Sequence, residues 1–166
     1  APIVALVSLA AAWALVQEAL RGQPRPVRHL TAALTVVLLA TSPEQVDRLL
    51  VPMADAPAQL FTILTLFFAI RAMHQMEESD RRPPISGWLS LIAAGICFAW
   101  AYWARHTQLV LALPVIVAIL LGAARTRRYR ILDLGFWKCL ALFGVVALVA
   151  AAPDIELAQV VTHGGR

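Results

Sequence analysis

Long apolar runs alternate with short clusters of charge along this 166-residue chain. A soluble helix keeps a wet face by placing polar residues at every third or fourth position. The stretch from Ala58 to Ile70 has only Gln59, Thr62 and Thr65, and the stretch from Leu109 to Ala124 has no polar side chain at all. Runs of this kind, close to the ~20 residues that cross a hydrocarbon core, predict an all-α, polytopic membrane protein. Six transmembrane helices are expected, over residues 2–20, 27–42, 57–76, 85–104, 108–124 and 132–152, together forming one domain.

The breaks between runs carry the expected punctuation. Gly22, Pro24 and Pro26 sit in the arginine-rich turn Arg21–Arg28, where they end one helix and admit the next. The run that follows is short for a span, so a thinned bilayer or an incomplete crossing would have to accommodate it. Ser42-Pro43-Glu44-Gln45 has the order of a helix start, with Ser42 as the cap and Pro43 in the first turn. It predicts a short interfacial helix from Pro43 to Val51. Asp55 is placed to cap the third span, and Pro83-Pro84 separates the third from the fourth. Arg105-His106-Thr107-Gln108 divides forty otherwise apolar residues into two spans. Trp100, Tyr102 and Trp103 precede that turn, where an aromatic belt belongs. The first run has no basic residue ahead of it and no small-residue cleavage site at its end, so it reads as a span rather than a signal peptide.

Composition agrees with the pattern: 60% of residues are hydrophobic and 14% charged, with a mean hydropathy of +0.73. Charge adds a direction. Six spans put Arg21, Arg25, Arg28, Arg71, Arg81, Arg82, Arg125, Arg127, Arg128 and Arg130 on one side, and Arg48, Arg105 and Arg166 on the other. Ten against three predicts that the first side is cytoplasmic, with both termini outside and the bacterial inner membrane as the location. Arg125, Arg127, Arg128 and Arg130 form the densest cluster, suited to anionic lipid headgroups. No aromatic-interleaved basic patch points to nucleic acid. The expected partners are the bilayer and other integral membrane subunits, or further copies of the chain.

Candidate chemistry is sparse. Glu18 and Lys138 are the acid and base nearest the membrane interior, and an ion pair between the first and last spans is conceivable from their positions. Glu18 can also pair with Arg21 at i,i+3, and Lys138 can snorkel. His29 and His74 fall at one end of adjacent spans, and His106 and His163 at the other. Such pairs admit haem or a metal, but residues at helix ends and in turns read more simply as interfacial histidines. Thr31 with Thr35, and Thr62 with Thr65, share helix faces and suit hydrogen bonds across helices or back to the preceding turn. Ala93, Ala94 and Gly95, and Gly144, Ala147 and Ala151, suit close helix approach. Cys97 and Cys139 each stand alone in an apolar run and read as small buried hydrophobes.

No phosphate loop, dinucleotide fingerprint or nucleophile elbow is present, and no set of catalytic residues or metal ligands can be assigned. The sequence therefore leads to the expectation of a non-catalytic membrane subunit, not an enzyme, that supports a larger complex and requires no cofactor. Two alternatives stand beside it: a small homo-oligomeric transporter or channel, and a haem- or metal-binding redox subunit.

Overall fold

The structure is a computed structural model that describes residues 2–42, 55–77, 85–104, 113–117, 138, 140–150 and 152. Among the described residues, all but Leu20–Pro24 and Ser42 are helical. The elements are α1 (Pro2–Ala19), α2 (Arg25–Thr41), α3 (Asp55–Glu77), α4 (Ile85–Ala104) and α5 (Leu140–Ala150). A five-residue helical piece covers 113–117. The all-α membrane fold is as the apolar pattern requires, and α1, Ala56–Met76 within α3, and α4 are each long and apolar enough to cross a bilayer.

The exception among the first four helices is α2. Its 17 residues extend roughly 25 Å at 1.5 Å per residue, short of a ~30 Å core. It begins two residues earlier than the apolar run suggested. Pro24 precedes the helix, and Pro26 occupies the first turn, where a missing N–H costs no hydrogen bond. At its other end, the Ser42 N–H and hydroxyl both donate to the Leu39 carbonyl, at 3.4 and 3.1 Å. The interfacial helix expected over 43–51 lies outside the described residues, as do most of 108–124 and the arginines of 125–130.

The first four helices run alternately up and down. The turn from Leu20 to Pro24 is tight, with Arg21 and Gln23 N–H groups donating to the carbonyls of Glu18 and Leu20. It folds α2 back along α1. Contacts between Glu18 and His74, near the carboxyl ends of α1 and α3, make those two helices parallel. A bond from Ser90 near the start of α4 to Gln75 near the end of α3 makes the α3–α4 pair an antiparallel hairpin. The ends of α1 and α3 and the starts of α2 and α4 therefore meet at one end of the bundle. That end carries Arg21, Arg25, Arg28 and Arg71, the grouping required by the charge pattern.

The packing centre lies between α3 and α4, the most extensive helix pair. Ala69, Ala72 and Met76 from α3 meet Leu91, Ala94, Phe98 and Ala101 from α4. Val115, Phe143 and Ala147 close the same cluster from the later part of the chain. Gly95 permits that closure. A Cβ at this position would lie 2.9 Å from Val146 Cγ1 and 3.3 Å from the Phe143 carbonyl oxygen. Gly144, grouped with the close-packing residues on sequence, has nothing within 4 Å and faces open space. Helix α1 lies against both α2 and α3. Its buried residues are Ala5, Ser8, Ala11 and Ala12, and Ala32 is the buried residue of α2. In a bilayer no hydrophobic gain drives two helices together, so small side chains serve by letting backbones approach for dispersion contact.

The threonine hydroxyls bond within their own helices. Thr35 donates to the Thr31 carbonyl, Thr62 to Ala58 and Thr65 to Phe61, at 2.7 to 2.9 Å. Ser8 does the same to Val4 at 2.8 Å. Each of these hydroxyls thus finds a partner within its own helix.

A candidate functional site at the membrane end of three helices

The last turn of α1 carries two adjacent polar side chains, Gln17 and Glu18, which reach different neighbours. Gln17 reaches α2. Its Oε1 accepts from Arg28 Nε at 3.1 Å and from Arg28 Nη2 at 2.9 Å. With the oxygen occupied in this way, the Gln17 amide nitrogen at 3.2 Å from His29 Nδ1 acts as a donor. His29 then carries its proton on Nε2. Its ring also lies against Trp13, with centroids 5.9 Å apart. One amide, in the last turn of the helix, thus ties α1 to the start of α2.

Glu18 reaches α3. His74 Nδ1 donates to Glu18 Oε1 at 3.1 Å, and Arg21 Nη1 lies 3.6 Å from the same oxygen. Both ends of the Glu18–His74 pair are largely shielded, with side-chain exposures of 17% and 24%. Shielding matters because a fully exposed pair adds almost nothing to stability. Beside them Ser90 donates to Gln75 Oε1 at 2.9 Å, joining α4 to α3. The first four helices are therefore cross-linked at one level by polar groups, and no buried side-chain polar atom is left without a partner among the described residues.

The sequence candidates separate cleanly in this geometry. Glu18, Arg21, His29 and His74 come together. His29 and His74 engage different residues of α1, and among the described residues no group of three or more His, Cys, Asp or Glu side chains could hold a metal. Lys138 is exposed. The ion pairs of Glu18 among the described residues are with Arg21 and His74. His106, His163, Arg125, Arg127, Arg128 and Arg130 lie outside the described residues. Sequence reasoning missed Gln17, Gln75 and Ser90. The available signal for Gln17 was its position in the last helical turn before a tight turn, opposite a helix start carrying Arg28 and His29. Trp100 stacks on Phe61 at 5.6 Å and lies 5.8 Å from Trp103, both indoles substantially exposed near the end of α4.

A family model described as dolichyl-phosphate-mannose-protein mannosyltransferase matches residues 1–155. No curated protein and no solved structure matches the chain. The family match overturns the expectation of a non-catalytic subunit that supports a larger complex. The expectations of "not an enzyme", of a transporter or channel and of a haem- or metal-binding subunit fall with it. The step from an apolar interior to a non-enzyme fails for a physical reason. Polar substrates can react at the membrane surface, where loop residues and helix ends meet them, so a membrane interior without polar groups says nothing about that chemistry. A family of this kind can also be recorded in the spacing of apolar positions over a hundred residues or more, with no short motif to find. Matched over nearly its whole length, the chain belongs to the dolichyl-phosphate-mannose-protein mannosyltransferase family.

Proposed function

We propose that this chain forms part of a membrane-embedded glycosyltransferase that moves a mannose-type sugar from a lipid-phosphate carrier to a hydroxyl group of a polypeptide. The observation that carries the reading is the family match over residues 1–155. The apolar helices suit it, because the carrier's hydrocarbon chain stays in the bilayer while its sugar phosphate stays at the surface. In the reaction, the acceptor oxygen attacks the anomeric carbon and the bond from that carbon to the phosphate oxygen breaks. The acceptor proton passes to a base, and the lipid phosphate leaves as an anion.

A carboxylate is the natural base for that step. Glu18 does not suit the role, since His74 and Arg21 already hold its oxygen. Glu77, Glu78 and Asp80 share a short run with Arg81 and Arg82, which offsets their charge. Helix α2 ends and α3 begins at the other end of the bundle. In the sequence there, Asp47 has Arg48 beside it, whereas Asp55, the first residue of α3, lies in a run without a basic residue from Leu49 to Ile70. Among these carboxylates Asp55 is therefore the one we assign as the base. We assign the transfer chemistry to that end and the Glu18 cluster to holding the helices in register. The arginine-rich end then faces the cytoplasm and the reacting end the opposite side of the inner membrane.

The test is transfer of labelled mannose from a polyprenyl-phosphate carrier to an acceptor polypeptide by the protein in proteoliposomes. Asp55→Asn should lower the rate by about a hundredfold or more, the usual contribution of a general base. Glu18→Gln should leave it within a few-fold. Failure of the unaltered protein to transfer sugar from any lipid-phosphate donor would overturn the reading. Loss of transfer in Glu18→Gln alone would overturn the assignment of ends.

A further inference from the structure

The two hairpins present apolar faces of different length to the bilayer, and side-chain contacts fix how those faces line up. On α2 the exposed large apolar residues are Val27, Leu30, Leu34, Val37 and Leu38. On α4 they are Ile85, Leu89, Ile96, Trp100 and Trp103. At 1.5 Å per residue the α2 set extends about 17 Å and the α4 set about 27 Å. The two sets end together at the end away from the arginines. Gln17 of α1 meets Arg28, Glu18 meets His74, and the Phe61 ring stacks on Trp100. Counting along the helices from these contacts puts Thr41, the last residue of α2, within about one turn of the level of Phe61, Trp100 and Trp103.

The faces part at the arginine-rich end. Met76 packs against Gly87 and Ser90 donates to Gln75, so the first residues of α4 continue past these contacts toward that end. The same counting sets Ile85, 78% exposed, roughly level with Arg25 of α2. Arg25 and His29 are exposed at heights where α4 exposes Ile85 and Leu89. A flat membrane surface would place either Ile85 among headgroups or Arg25 and His29 in hydrocarbon. Arg71 adds an independent sign. It is exposed on α3, about one turn nearer the bundle middle than His74 and level with Leu30. Its guanidinium lies 5.8 Å from the centre of the Phe67 ring, one turn deeper again. A charge in hydrocarbon is costly, so headgroups or water must come down to meet it.

From this offset we infer that the bilayer is stepped around the protein: nearly full thickness along α4, and thinned beside α2 by about one helical turn, ~5 Å, at the arginine-rich end. The α2 face is thus a surface that fits phospholipids of short acyl chain. Helix α2 reaches the level of Trp100 and Trp103, so it crosses as far as α4 does on that side, and its shortness is taken up by the membrane and not by an incomplete crossing. Thinning a leaflet by a few ångströms costs less than holding Arg25 and Arg71 in hydrocarbon. The step does not rest on the glycosyl-transfer reading, and its test reads membrane depth alone.

The experiment places a nitroxide label at Leu30→Cys or at Ile85→Cys, each in the full chain with Cys97→Ser and Cys139→Ser. Both labelled positions are exposed, so the core packing is untouched. The protein is reconstituted in phosphatidylcholine with 18-carbon chains, and relative accessibility to oxygen and to a water-soluble nickel chelate gives the depth of each label. Along the bundle the two positions are about 10 Å apart. A stepped bilayer should bring their depths within about 5 Å, whereas a difference of about 10 Å is the flat-membrane value and would overturn the proposal. The second readout changes the lipid to 14-carbon chains. The Ile85 label should then move outward toward water while the Leu30 label keeps its depth, because the membrane beside α2 is already thin. Equal outward movement of both labels would show that α2 does not hold the bilayer at its own length, and would overturn the fit to short chains.

Discussion

The two antiparallel hairpins are built on different physics. Between α3 and α4 the contact is apolar along much of its length, from Met76 against Gly87 at one end to Ala101 near the other, with Leu91 and Ala94 wholly buried. Between α1 and α2 the buried residues are small, and α2 contributes only Ala32 to them. The specific contacts of that second hairpin are concentrated at its turn, where Gln17 holds Arg28 and His29. One hairpin is held by shape along its length, the other by polar bonds at its end. In a membrane both devices are needed, because lipid competes equally for any exposed apolar side chain. A polar tie at the interface gives a short helix such as α2 a fixed register that weak packing alone does not provide.

Substitutions can sharpen or break this contrast. The largest effect is expected for Leu91→Ala, which opens a cavity in the fully packed hairpin. It should cost about 2–5 kcal/mol, toward the lower figure because lipid lowers the hydrophobic share of the loss. Reversible unfolding in mixed micelles, followed by circular dichroism, measures it. A cost below that of any change in the α1–α2 hairpin would break the comparison.

Next come the two glycines of the α4–α5 region. Gly95→Ala forces a methyl against Val146 and the Phe143 backbone and should destabilise by about 1–3 kcal/mol, the usual penalty of overpacking. Gly144→Ala meets nothing and should be neutral or slightly stabilising. The same unfolding measurement compares them, and equal effects would show that α5 does not approach α4 through Gly95.

The smallest effect belongs to the polar tie. Gln17→Ala removes the acceptor for Arg28 and the donor to His29, and should cost about 1 kcal/mol. Its signature is local. Amide hydrogen exchange should quicken in the first turns of α2 and leave the α3–α4 hairpin unchanged. Uniform loss of protection across all helices would mean that the tie supports the whole bundle.

Much of this architecture was legible before any coordinates. The bounds of α1 and α4 follow the apolar runs to within a residue, because a bilayer demands a long uninterrupted apolar segment and charge can only stand at its ends. The clustering of Arg21, Arg25, Arg28 and Arg71 at one end was also readable, since alternate helices must return to the same side. The site was less legible. Glu18 and His74 are 56 positions apart, and Gln17 looks like one polar residue near the end of an apolar helix. Gly95 and Gly144 are indistinguishable as letters, yet only Gly95 touches a neighbour.

The amino-acid sequence by itself determined that this protein lives in a membrane, where α1 and α4 run and which end gathers Arg21, Arg25, Arg28 and Arg71. Those properties depend on the exchange of each segment between water and hydrocarbon, which local composition decides. Only the tertiary structure decided that α1 lies parallel to α3, that Glu18 belongs to His74 and that Gln17 holds Arg28 without cancelling its charge. Those depend on which faces meet across space, and small side chains that allow close approach fit many partners until the whole bundle selects one.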